Sequence, residues 1–76
     1  MIYYINYELD NGYRIEDVAV IVNSRTPLTS DSEIKKFLYD NVDKHSDDCV
    51  RRIYQIQSLD SSNTSDRLYM RKVGIY

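Results

Sequence analysis

The chain has 76 residues and a formal net charge of −2, with 42% hydrophobic and 29% charged side chains. That balance belongs to a folding globular domain and excludes both a disordered polymer and a membrane-embedded one. One cysteine, Cys49, rules out an intramolecular disulfide framework, and the length rules out two separate domains. Eight tyrosines against one phenylalanine and no tryptophan require an explanation in packing or in a binding surface.

In chain order, Ile2 to Leu9 reads as a strand, because Tyr3, Ile5, Tyr7 and Leu9 recur at period two with Asn6 and Glu8 between them. Asn11-Gly12 has the composition of a two-residue type I′ turn. In that register Tyr3 faces Val20, Ile5 faces Val18 and Tyr7 faces Glu16, so that Tyr3, Ile5, Val18, Val20 and Val22 share the buried side. The second strand runs from about Tyr13 to Asn23 and is apolar on both faces through Val18-Ala19-Val20-Ile21-Val22. Its second face, with Ile2, Tyr4, Ala19 and Ile21, is expected to be covered by another copy of the chain.

Pro27 ends that strand. Ser30 with Glu33 three residues later has capping-box spacing, and Ile34, Phe37, Leu38 and Val42 form a helical stripe that fades after Asp43. Lys44-His45-Ser46-Asp47-Asp48 reads as the exit loop. Val50 to Leu59 returns to strand character, with Val50, Tyr54 and Ile56 expected on one face and Arg51, Ile53, Gln55 and Gln57 on the other. The segment 60–66 is wholly polar and reads as a mobile loop, and Arg67 to Tyr76 as a charged edge strand.

The order β-β-α-β-β predicts an α+β fold, a four-stranded antiparallel sheet with one helix packed on one face. A right-handed crossover places the third strand beside the first, parallel to the second. The N-terminus lacks the pattern of a secretory signal, and the longest apolar run, Val18 to Val22, falls far short of the roughly 20 residues of a membrane helix, so the cytoplasm is the expected compartment.

Charge is unevenly spread. Residues 1–48 carry ten acidic side chains against five basic ones, whereas residues 49–76 carry Arg51, Arg52, Arg67, Arg71 and Lys72 against Asp60 and Asp66. With Tyr54, those five cations make a candidate nucleic-acid surface on the last two strands, because guanidinium groups neutralise phosphate and tyrosine rings stack on bases. Against it stand the net negative charge and the missing aromatic signature of RNA-binding sheets. Tyrosine and arginine are equally the residues of protein interfaces. On that reading Tyr4, Ile21, Tyr69 and Tyr76, together with Arg51, Arg52 and Arg71, form a protein-binding surface, and Tyr13 is a further exposed candidate. Asp40, Asp43, Asp47 and Asp48 make an acidic edge able to imitate phosphates toward a basic partner, or simply a solvated face.

His45, Asp47, Asp48 and Cys49 are competent metal ligands crowded into five residues, but the chain has no second histidine or cysteine to complete a structural zinc site. A Cys49–His45 nucleophile would lack the pocket and orienting groups that catalysis needs. Gly12 and Gly74 are the only glycines, and they build no phosphate-cradling loop. No cofactor, no metal and no enzymatic activity are expected.

The residues Tyr3-Tyr4-Ile5-Asn6-Tyr7, Asn11-Gly12, Pro27-Leu28-Thr29-Ser30 with Ile34, and Val50 with Ile53 resemble a loose class of very small phage and mobile-element proteins of Gram-positive bacteria. The resemblance covers residues 1–59 and carries no catalytic signature. It implies a non-catalytic, stoichiometric inhibitor of a host protein, such as a component of antiviral defence of the CRISPR kind, and self-association as a homo-oligomer is expected through the uncovered sheet face or an edge strand. A small nucleic-acid-binding regulator is the alternative, and an accessory subunit of a larger particle a third. No membrane partner is expected.

Overall fold

The computed structural model describes residues 1–42 and 49–75. Three strands, β1 (Ile2–Asp10), β2 (Ile15–Asn23) and β3 (Cys49–Leu59), form one antiparallel sheet in the order β2-β1-β3. Two helices accompany it, α1 (Asp31–Asn41) between β2 and β3, and α2 (Thr64–Val73) after β3. The crossover through α1 returns β3 to the free side of β1, parallel to β2, as the alternation of elements predicts.

The expectation of four strands and one helix is overturned at the C-terminal end, where residues 64–73 are helical. Local capping decides it. Asn63 accepts the Asp66 amide on its side chain at 3.1 Å, the Asp66 carboxylate accepts the Asp60 amide at 3.0 Å, and Arg71 and Lys72 lie in the last turn, where the dipole favours cations. Gly74 then leaves the helix at φ +86°, donating its amide to the Met70 carbonyl at 2.9 Å. The supposed loop 60–66 contracts to a tight turn in which the Asn63 amide reaches the Asp60 carbonyl at 3.0 Å.

The β1–β2 register differs from the expected one by two residues: Tyr3 faces Val22, Ile5 faces Val20 and Tyr7 faces Val18. The connection has four residues instead of two. Asn11 donates its amide to the Arg14 carbonyl, and its side-chain oxygen accepts the amides of Tyr13 and Arg14 at 3.0 Å each. Asn11 keeps a negative φ and Gly12 alone goes positive, at +88°, so the doubly left-handed type I′ turn is absent. A slip of two residues preserves the side on which every side chain lies, and the buried set therefore survives the error.

One face of the sheet is packed under α1. Ile5, Tyr7, Leu9, Val20, Val22 and Val50 meet Leu28, Ile34 and Leu38 in a single core, with Tyr3, Val18, Phe37, Val42, Ile53 and Ile56 against its rim. Each fully buried aliphatic side chain there stabilises the fold by about 1.5–3 kcal/mol before chain entropy is charged against it. The start of α1 is fixed by the predicted box: Ser30 Oγ accepts the Glu33 amide at 3.3 Å and donates to Glu33 Oε1 at 3.0 Å.

The opposite face carries α2. Tyr4 meets Tyr69 edge to face, with ring centroids 5.9 Å apart and planes at 61°. Ile21 and Met70 are buried, outside the main core. α2 begins at the end of β3 and reaches across to β2. Intramolecular packing thus supplies the cover that the sequence reading assigned to a second copy, and the fully buried Ile21 offers no surface to a partner. No helix among the described residues is long and apolar enough to cross a membrane.

Candidate functional site

α2 covers only one end of the outer face. At the other end β3 departs from regular pairing twice. Asn6 faces Gln55 but Tyr7 faces Ile53, and Glu8 faces Arg52 but Leu9 faces Val50, so Tyr54 and Arg51 are each an extra residue opposite β1. A bulge turns two successive side chains toward the same side of a sheet. The pairs Arg51-Arg52 and Tyr54-Gln55 therefore come to the outer face, while Val50, Ile53 and Ile56 reach the core at intervals of three. The expected faces of β3, with Tyr54 beside Val50 and Ile53 beside Arg51, are corrected by these bulges.

The two extra residues converge on one carboxylate. Tyr54 Oη donates to Glu8 Oε2 at 2.5 Å, and Arg51 Nη1 stands 3.7 Å from Glu8 Oε1. The Arg52 guanidinium lies over the Tyr54 ring, 6.0 Å from its centroid. Asp17 of β2 flanks Glu8 from the other side. The hydrogen bond to Glu8, reinforced by loss of hydration and by the nearby Glu8 and Asp17 charges, pushes the Tyr54 hydroxyl up from 10.0 to about 12, against the smaller opposing pull of Arg52. Tyr54 is 46% exposed, so its ring is held in place and still available.

Chemically, the patch offers two guanidinium groups, an aromatic face and a phenol, with Glu8 as an internal strut. Its charges balance, since Glu8 and Asp17 lie among the two arginines. Such a surface suits contact with another macromolecule's polar surface.

Of the other sequence candidates, Tyr4 on β1 and Tyr69 on α2 pair with each other and line a cleft of about 220 Å³ with Gln57, Leu59 and Asp66. Arg67, Arg71 and Lys72 are exposed on α2, a helix and not the expected edge strand, so the basic residues are split between two elements. Asp40 is exposed on α1, at the rim of an open hollow with Thr26, Leu28, Glu33, Lys36, Phe37 and Asn41. Tyr13 stands at the tip of the β1–β2 connection, 97% exposed. Asp43, His45, Asp47, Asp48 and Tyr76 lie outside the described residues, and with them most of the acidic edge and of the metal quartet. Cys49 opens β3 as an exposed free thiol, 3.9 Å from Tyr39 Oη.

Glu8 and Asp17 escaped the sequence reading as site residues, because alternation assigns them only to a wet face. The signal that points to them is the spacing of Val50, Ile53 and Ile56, which a regular strand cannot bury together and two bulges can.

Comparison with family models, with curated proteins and with solved structures found no match.

Proposed function

We propose that the protein is a non-catalytic protein-binding module whose contact surface is the uncovered end of the outer sheet face. The observation that supports this is the double bulge of β3, which gathers Arg51, Arg52 and Tyr54 on one exposed patch and props them on Glu8. Arginine and tyrosine dominate the energetics of protein interfaces, and side chains already held in place lose little further freedom on binding. The resemblance of residues 1–59 to small phage proteins would make the partner a host protein of antiviral defence and the chain its stoichiometric inhibitor.

The nucleic-acid alternative draws on the same arginines, but Glu8 and Asp17 sit among them and weaken the pull on a phosphate backbone. The test is capture from host lysate, with and without nuclease, by the wild type and by Arg52→Ala and Tyr54→Ala. A protein retained in near-equal amount, resistant to nuclease and weakened at least tenfold by each variant, is the expected result. Recovery of nucleic acid alone, released by salt, would replace this reading with the alternative.

A further inference from the structure

The cleft of about 220 Å³ beside α2 lies apart from the bulged patch, and its walls share one chemistry. Tyr4 of β1 and Gln57 of β3 are opposite each other in the ladder, and Leu59 follows Gln57 by two positions, so the three stand on one face of the sheet. Asp66 and Tyr69 come from α2, three residues apart and therefore on one side of that helix. The cleft is the seam between the two elements.

Its character is that of a cation site. The rings of Tyr4 and Tyr69, inclined at 61° with centroids 5.9 Å apart, make an aromatic corner, and Tyr69 remains 39% exposed. Aromatic faces carry negative potential and attract positive charge. Asp66 adds a full negative charge, and the lining holds no lysine or arginine to neutralise it. Among the described residues Asp66 pairs with no cation: the Asp60 amide occupies its Oδ2 at 3.0 Å, and its Oδ1 accepts from no donor. The corner is also held in advance, since the Asp66 amide is fixed by Asn63 at 3.1 Å and Asn6 Nδ2 donates to Tyr4 Oη at 3.5 Å.

We infer that this cleft receives a lysine side chain of a protein partner, its ammonium set against the two tyrosine rings and the Asp66 carboxylate. Size separates a side chain from a free ligand. Small-molecule pockets run to about 300–1,000 Å³ and enclose most of what they bind, whereas this cleft is smaller and two of its walls, Gln57 and Tyr69, are exposed. The carboxylate separates lysine from arginine. A guanidinium fork is best met by both oxygens of a carboxylate, and one oxygen of Asp66 is already taken, while an ammonium point charge is served by the other alone. That the lysine belongs to a protein rests on the binding role proposed above. The α2 end of the outer face would then take a cation from the same partner to which the bulged patch offers its arginines.

The test is an NMR titration of amide shifts in the whole chain with Nα-acetyl-lysine methylamide, with the same molecule acetylated on its side-chain nitrogen, and with Nα-acetyl-arginine methylamide. These probes need no partner, so failure here and failure of capture from lysate are separate results. The lysine probe should give saturable shifts at Tyr4, Gln57, Asp66 and Tyr69, leave Glu8 and Tyr54 in place, and bind more tightly than either other probe. Tyr69→Leu and Asp66→Asn should each weaken it by about tenfold, whereas Tyr69→Phe, which keeps the ring, should not. Asparagine at 66 retains an oxygen for the Asp60 amide, so the turn survives the loss of charge. Equal binding of the neutral probe would overturn the inference by showing a merely apolar hollow. Tighter binding of the arginine probe, shifts centred away from the cleft, or no saturable shift would overturn it as well. Should Tyr69→Leu loosen α2, the Asp66→Asn variant and the neutral probe decide.

Discussion

The two faces of this sheet are built to different purposes. Among the described residues, nine buried side chains from the three strands, α1 and Leu28 of the connection before it interlock beneath α1, whereas beneath α2 the buried hydrophobic residues are Ile21 and Met70. The inner face therefore supplies most of the stability. The outer face, half covered and otherwise polar, is left free to present Arg51, Arg52 and Tyr54. A chain of this length has one sizeable core to build, and concentrating it on one side releases the other from packing constraints.

The comparison is tested most severely by truncation on each side. Leu38→Ala should cost about 2–5 kcal/mol, comparable with the roughly 3–5 kcal/mol that a domain this small holds, and leave much of the chain unfolded in a urea titration followed by circular dichroism. Met70→Ala should fall at the bottom of the same range, about 2 kcal/mol, and act locally: amides of α2 lose protection from exchange while those of β1 to β3 keep it. Global unfolding by Met70→Ala would show that the outer helix is part of the main core.

The caps give a finer version of the same contrast. Ser30→Ala and Asn63→Ala each remove one side-chain acceptor from a helix start, worth about 1 kcal/mol. The first should lower the denaturation midpoint of the whole protein. The second should fray α2 and leave that midpoint nearly unchanged.

The smallest effect is electrostatic and reports on the patch itself. Tyr54 should ionise near pH 12 in an ultraviolet titration of tyrosinate, and Glu8→Gln should return it toward the ordinary value of 10.0. Because folding raises this hydroxyl's pKa, the associated stabilisation is present in full below pH 10 and disappears as the pH rises through 12. A Tyr54 that titrates normally in the wild type would mean that Glu8 does not hold it in solution.

How much of this was legible in the sequence depends on whether local signals agreed with one another. β1, β2 and α1 were, because period-two alternation and the Ser30–Glu33 box are strong and uncontested. The register was missed by two residues because Asn11 closes the turn with its side chain, which leaves the composition of an Asn-Gly hairpin without its backbone. β3 was found but its faces were not, since a strict period of two cannot describe a strand with two extra residues. α2 was lost because Leu68 and Met70 suggest alternation, and the competing stripe of Asp66, Tyr69, Met70 and Val73 at helical spacing becomes visible only once Asn63 is taken as a cap. The patch was half legible: Arg51, Arg52 and Tyr54 were identified, and Glu8, which holds two of them, was not.

The central position of β1 has a kinetic consequence. Its bond to β2 closes across four residues and forms quickly, but its bond to β3 brings Ile2 to Leu59 and must wait for a far longer loop to close. During synthesis the chain therefore passes through a stage in which β1 and β2 are paired and both edges of the ribbon are open. β1 gains its second neighbour only when β3 emerges, and the speed of that step sets how long the nascent hairpin is exposed to mispairing.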